Sequence, residues 1–441
     1  MRKHNQKSWG KTHSSTSLCY TSQEFNEKLR SKTKSGLPIG LGRSYGDSSI
    51  NSQGIYFEVE SSKKIEINEE EMYATCSAEV SIGELERAAI KRGFFPPAVP
   101  GTEFVSIGGA IASNIHGKSH HISGSFGASV IELELITSSN ETLKLTPNSV
   151  NSKYFWATIG GMGLTGIITQ AKIKLNKIES SYVVVEEKRA KNLEQLLDLV
   201  KDFDKKYLYT VAWIDLSGSY SGRGIVSGGN HAKISDLSLK LRKDPLLIKN
   251  PGKLMIPDLF PTWFINSFTV NIFNYCWFKK PLQNGQQHIR KFLHPLDSAR
   301  KWNNIYGKSG LIQFQFQIPF GEEKFLRKVL NMLQENKVAS FLGVLKSFGH
   351  GDQSFLGFPQ PGWTLAVDFP AKRTDLLPKI KTLMQEIAKI NGRVYLTKDS
   401  ILEVKEFNEM YKKNMEWKRI KSEIDPFKYW RSDQGARLGL C

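Results

Sequence analysis

Three glycine-rich segments, with polar side chains set among them, are where this chain could do chemistry. In LPIGLGRSYGDSSI, Gly40, Gly42 and Gly46 alternate with Leu41, Arg43, Ser44, Tyr45 and Asp47. In PAVPGTEFVSIGGAIASNIHGKSHHISGSFG, Gly101, Gly108, Gly109, Gly117, Gly124 and Gly127 surround His116, Lys118, His120 and His121. A third cluster, Gly160, Gly161, Gly163 and Gly166, lies in IGGMGLTGIITQAKIKL. Glycine lets the backbone take φ > 0 and approach a ligand closely. Successive exposed N–H groups in such turns form concavities suited to a pyrophosphate. A dinucleotide held by main chain is therefore the first expectation, against the plainer reading of a glycine-rich barrel corner. The β-branched Val105, Ile107, Ile111 and Ile115 read as strands between the glycines. The three histidines could suggest a metal, but no carboxylate or cysteine stands near them in sequence, so none is expected.

Further polar side chains fall in the last third of the chain. LIQFQFQIP alternates Gln313, Gln315 and Gln317 with Phe314 and Phe316, which suits a polar-lined cavity or an exposed sheet edge. FLGVLKSFG carries Lys346 on a strand, either functional or an ordinary surface lysine, and RVYLTKDS places Tyr395 and Lys398 at a strand end.

The elements that must position these residues are readable from spacing. Thr21 to Phe25 starts a short capped helix running to about Leu29. Ile65–Ala78 alternates as one half-buried strand. Ser81 and Glu84 form a capping box for a helix ending near Gly93. VIELELIT and ETLKLT form a hairpin. Near Lys177 glycine thins out, which marks a domain boundary. Beyond it come a helix over 192–204, strands near 208–216, a helix over 322–336, the strand GWTLAVDFP, a helix over 375–390 and a basic helix over 406–420. The alternation over 192–390 resembles a ferredoxin-like split βαβ insertion. Residues 254–278 are apolar, aromatic and flanked by lysines. Pro257, Asp258 and Pro261 exclude a single spanning helix there, leaving a buried segment or a lipid-facing loop.

With 441 residues, two domains or one with a large insertion are expected. A net charge of +18 favours an anionic partner: nucleic acid, a membrane surface or a phosphorylated substrate. No nucleic-acid motif is present, so nucleic acid is not expected. Four scattered cysteines point to a reducing compartment. Without a signal peptide or spanning segment, the expected place is the cytoplasm, including the inner membrane face.

GLGRSYGD after Gly40, VPGT with GGAIASNIHGKSHHISGSFG, IGGMGLTG, HPLDS, QFQFQIP, VLKSFG, GWTLAVDFP, YLTKDS and RSDQGARLGL follow one another over nearly the whole chain. On these motifs the chain resembles the FAD-linked oxidases with a vanillyl-alcohol-oxidase (PCMH-type) flavin domain, and within them the decaprenylphosphoryl-β-D-ribose 2′-oxidase branch. The resemblance implies an α+β fold. A two-part FAD-binding domain would span residues 1–177 and return at 392–441. Between them, 178–391 would form an inserted substrate (cap) domain on an antiparallel sheet. FAD would be contacted by Gly40, Leu41, Gly42, Arg43, Ser44, Tyr45, Gly46, Asp47, Gly101, Ser106, Ile107, Gly108, Gly109, His116, Gly117, Ile167 and Tyr395. Arg43 stands where the related sugar-lactone oxidases carry a flavin-linked histidine, so FAD would be non-covalent.

The same resemblance implies oxidation of a 2′-hydroxyl of a polyprenyl-phosphate-linked pentose to the keto-sugar. That would be the first half of an epimerisation for cell-envelope arabinan, completed by a short-chain dehydrogenase partner. Lys398, Tyr45 and His116 become the catalytic candidates. An ammonium beside the flavin stabilises developing negative charge, and a histidine with an ordinary pKa of about 6.5 suits a proton shuttle, though it could equally orient the glycine loop. Lys118 and Lys346 would meet the substrate phosphate, Gln313 and Gln315 the sugar hydroxyls, with Ala366 and Asp368 beside them. Two departures bear on the substrate: Ala366 stands where mycobacterial members carry cysteine, and Thr364 replaces an asparagine. The alternatives are a sugar-lactone oxidase of D-arabinono-1,4-lactone type, or a basic binding protein that has lost the flavin.

Overall fold

The computed structural model describes residues 2–25, 34–59, 63–250, 252, 254–257, 261 and 265–441. The first part is organised on two sheets. In one, Ser14–Thr21 pairs antiparallel with Arg2–Lys7 and parallel with Ile55–Glu58, which in turn pairs parallel with Gly36–Pro38. The other is an antiparallel five-stranded sheet, in which Ile167–Lys174 lies between Tyr73–Ser77 and Val130–Ile136. The expected hairpin is present, with Leu133 opposite Leu145.

Sequence signals and structure part company at three places in these regions. The single strand expected over Ile65–Ala78 is a hairpin of Ile65–Asn68 and Tyr73–Ser77, reversed at a turn where Met72 takes φ +54°. The strands expected between the central glycines give way to a helix, Ile107–Ala112. Ser106 caps it by accepting from the Gly109 amide, and that local bond outweighs the β preference of the isoleucines. The basic helix over 406–420 is two, Val404–Met410 and Asn414–Ile424, divided where Tyr411 leaves helical geometry. The helix expected from Thr21 lies, beyond Phe25, outside the described residues; its opening box is formed, Thr21 and Glu24 each bonding the other's amide.

Strands between Tyr182 and Val394 make one eight-stranded antiparallel sheet, larger than a split βαβ unit. Its central members include Gly343–Phe348, Gly362–Pro370 and Leu311–Ile318. Helices Leu193–Lys206, Glu323–Glu335 and Leu377–Lys389 bury leucine, isoleucine and phenylalanine stripes in the main core, and Phe316 meets Phe325 of the second at 5.6 Å. Because side chains alternate across a strand, the glutamines of Leu311–Ile318 face the other way. All three are buried on a sheet interior, so the exposed-edge reading of that strand does not hold.

After Val394 the chain returns to the first part. Trp417 Nε1 donates to Ala157 O at 2.8 Å, the Arg431 amide to Gly36 O at 3.0 Å, and Arg437 binds Asp47 through both carboxylate oxygens.

Candidate active site

The loop Gly40–Asp47 is gripped from behind. The Tyr45 amide donates to Thr397 O, and the Trp9 and Gly10 amides donate to Ser44 O and Tyr45 O. Gly46 packs so tightly that a Cβ would lie 1.7 Å from Asp399 O. The front is open: Gly40 and Leu41 are exposed. Among the described residues, none accepts from the amides of Gly40, Leu41, Gly42, Arg43 or Ser44, and Gly42 takes φ +63°. Consecutive unbonded amides with a left-handed residue among them make an anion-binding nest. Five such amides in a row, open at the front, offer the donors that a pyrophosphate would need.

The second glycine segment contributes differently from expectation. The amides of Ile107 and Gly108 donate inward to Val80 O and Ala78 O, and that of Gly109 is taken by Ser106 Oγ. Ser106–Gly109 therefore forms the floor under the nest instead of a second set of donors. A Cβ on Gly40 would sit 2.3 Å from Ser106 Oγ, whereas one on Gly101 would meet nothing within 4 Å. Of the other expected flavin contacts, Asp47 has its carboxylate occupied by Arg437, and Ile167 is fully buried in an aromatic cluster with Phe57 and Trp430. Gly117 packs against Val99 O. Arg43 donates to Leu41 O and lies 4.5 Å over the Trp9 ring.

The polar face of the sheet closes over this loop. Antiparallel register sets Gln313 opposite Asp368, Gln315 opposite Ala366 and Lys346 opposite Thr364, all on one face. Gln313 Nε2 donates to Asp368 Oδ1, while Oδ2 is buried without a partner. The Tyr306 hydroxyl is likewise buried and unpartnered, and the Asp368 charge acts on it. Lys398 Nζ lies 3.4 Å from the Tyr45 ring centroid, a cation–π contact. Burial pulls Lys398 down from its ordinary value while Asp368 holds it up; burial pushes Asp368 up.

Lys346 Nζ contacts His116 Nδ1 at 3.1 Å and Gly117 O at 3.3 Å, so it is no surface lysine, and burial lowers it to about 8. Lys118 donates to Phe292 O, its ammonium 4.5 Å over that ring, and burial lowers it to about 7. Gln315 Nε2 stands 3.2 Å from His116 Nε2. Burial, and then Lys346, push His116 well below 6.5. The ordinary pKa that recommended a proton shuttle is lost; a neutral ring between two donors accepts from one of them, Lys346 Nζ or Gln315 Nε2, according to its tautomer. Tyr395 donates to Ser113 O and stacks on Phe358 at 4.7 Å. His120 and His121 turn to Ser125 and to Tyr207 O.

Tyr306 was not among the residues singled out from sequence. Its signal was slight: residues 302–307 give no periodicity, and only the fold brings residue 306 to Asp368.

Comparison with known proteins agrees with this geometry. Residues 23–146 match the FAD binding domain model. The chain is 36% identical over 445 residues, 98% of its length and 96% of the relative's, to decaprenylphosphoryl-beta-D-ribose oxidase of Mycolicibacterium smegmatis. The chain belongs to this family of FAD-dependent oxidases. It is also 28% identical, over 82% of its length, to an uncharacterized protein of Streptomyces coelicolor, and 27% identical over 35% to D-lactate dehydrogenase of Archaeoglobus fulgidus. Membership makes the protein an FAD-dependent oxidoreductase and sets aside the flavin-free binding protein. For a flavin oxidase of this family, the open nest at Gly40–Ser44 fits a diphosphate, and the free space at Gly101 leaves room for a bound group.

Proposed function

We propose that the protein oxidises the 2′-hydroxyl of a polyprenyl-phosphate-linked pentose, such as decaprenylphosphoryl-β-D-ribose, to the keto-sugar. This is the first half of an epimerisation serving cell-envelope polysaccharide synthesis, with a short-chain dehydrogenase reducing the product. The work is done in the cytoplasm, at the inner membrane face. When bound, the non-covalent flavin supplies the hydride acceptor. Everything else is positioning and charge by this chain.

The observation that carries the reading is the pair of buried, unsatisfied polar atoms, Asp368 Oδ2 and the Tyr306 hydroxyl, beside Lys398 and Gln313. Buried polar atoms are nearly always bonded, so this pair of orphans is what a ligand's polar groups would satisfy. A sugar hydroxyl donates to the one and accepts from the other. Asp368, its proton affinity raised by burial, is suited to take the proton of the oxidised hydroxyl. Lys398 supplies positive charge facing the Tyr45 loop. Lys118 and Lys346, both partly discharged by burial, regain full charge beside a phosphodiester.

A sugar-lactone oxidase is the second reading, since it would use the same hydroxyl-binding face. The two buried lysines favour a phosphorylated substrate over a neutral lactone. Anaerobic titration with polyprenylphosphoryl pentoses and free sugar lactones, following flavin bleaching, separates them. Bleaching by the lipid-linked pentose is expected; bleaching by lactones alone would overturn the reading.

A further inference from the structure

The helix Ser267–Lys279 leaves most of its large apolar side chains facing outward. Its buried residues are Val270 and Asn274, one turn apart. Asn274 Nδ2 donates to Asp215 Oδ1 at 2.7 Å and to Ser217 Oγ at 2.8 Å, and Arg223 Nε completes the cluster on Asp215. Phe268, Ile272, Phe273, Tyr275 and Trp277 point outward, each between 39% and 73% exposed. A buried segment was the plainer expectation for this stretch, and the described part of it does not behave so. A helix that buries asparagine and leaves five large apolar side chains out has its apolar partner outside the molecule.

Two features say what that partner is. The sequence from 245 to 293 carries five lysines, Lys249, Lys253, Lys279, Lys280 and Lys291, against one carboxylate side chain, Asp258. Lys280 Nζ lies 4.2 Å over the Trp277 ring. Aromatic residues edged by lysine match the interface of an anionic bilayer, rings at the acyl boundary and ammonium groups at the phosphates. The helix has 13 residues, and no described helix is long and apolar enough to cross a membrane, so it would lie in the surface plane. The face is also continuous with the active site. Trp277 stacks on Phe273 at 5.8 Å, Phe273 meets Phe341 edge-on at 5.8 Å, and Phe341 stacks on Tyr306 at 5.8 Å, beside Asp368.

We propose that the outward face of Ser267–Lys279 seats the protein on an anionic bilayer, and that the ring ladder from Trp277 to Tyr306 is the apolar track along which a lipid-linked sugar reaches the site. The track rests on the substrate reading above; the docking does not. The test is co-sedimentation of the full-length holoprotein with phosphatidylglycerol–phosphatidylcholine vesicles and with phosphatidylcholine alone. Wild type and a control, Met415→Ser at an exposed position elsewhere, are expected to pellet with the anionic vesicles and to be released by high salt. The triple variant Phe268→Ser, Ile272→Ser, Trp277→Ser is expected to lose binding by about tenfold or more with its flavin content unchanged. Equal binding by the triple variant, or no binding by wild type, overturns the proposal. So does a dimer in sedimentation that the triple variant dissociates, since the face then belongs to a second copy. Vesicle binding needs no substrate. A protein that docks through this face but is not bleached by a short-tailed polyprenylphosphoryl pentose upholds the docking and overturns the substrate reading.

Discussion

Lys398 faces Tyr45; among the described residues no carboxylate is bonded directly to its ammonium, and the charge that supports it comes from Asp368 in a buried setting. Lys398→Ala is expected to keep FAD and fold but to slow substrate bleaching about 100-fold or more, the usual loss when one preorganised charge is removed. Stopped-flow bleaching with flavin quantitation checks it. Asp368→Asn removes what holds the lysine's pKa up, so the ammonium is lost at lower pH. The alkaline limb of the reduction-rate profile should move to lower pH, and an unmoved limb would separate the two groups. How much of this was legible depended on the kind of signal. The alternating glutamines announced one polar face of a strand, because a period of two is local to one strand, but whether that face was a cavity wall or an exposed edge came only with the sheet. Tyr306 was illegible, since it ends a short helical turn and Asp368, whose charge acts on it, lies 62 residues away on a strand. The fate of His116 was equally hidden: its pKa is lowered first by burial and then by Lys346, and both come only with the fold.

At the scale of elements, two glycines that look alike in sequence do different work. Gly46 is a packing glycine, its missing Cβ directed at Asp399 O. Gly46→Val should distort the loop and lower thermal stability together with flavin content. Gly101 faces open space. Gly101→Val should leave the apoprotein's melting temperature unchanged while weakening FAD binding, measured by fluorescence on reconstitution. Ser106→Ala removes a helix cap and is expected to cost about 1 kcal/mol, read from denaturant melts. Caps were the most legible feature here: Ser81 with Glu84 starts its helix as its spacing announces, and the helix expected from 192 proves to be capped there, Asn192 accepting from the Gln195 amide. The short helix Ile107–Ala112 was misread because β-branched residues argued one way and a single serine the other, and a serine at a chain reversal decides such contests only once the reversal is known.

Across the whole molecule, the flavin part and the large sheet are joined by buried charge. Glu103, 1% exposed, pairs with Arg87 and Arg290. The Glu103 amide and Thr102 Oγ1 donate to Asp297. Glu103→Ala leaves two guanidinium groups without their carboxylate, and a loss of about 3–5 kcal/mol is expected for breaking such a pair. Nearby, Glu86 holds the buried His294 above its ordinary value even though burial opposes it. A raised histidine contributes stability that is complete below about pH 6.5 and fades as pH rises through its folded value. Buried neutral histidines such as His116 pull the opposite way, so the readout is a difference: the melting-temperature gap between wild type and Glu86→Gln should shrink as pH rises from weakly acid to weakly alkaline.

The central claim is that oxidation occurs at the 2′ carbon of a lipid-linked pentose held between Asp368, Tyr306 and Lys398. Its most direct test is the rate of anaerobic flavin bleaching by polyprenylphosphoryl ribose carrying deuterium at the 2′ carbon, compared with unlabelled substrate. A primary isotope effect at that position, absent when another ring carbon is labelled, is the expected result. Bleaching with no effect at the 2′ carbon, or an effect at a different carbon, would contradict the account.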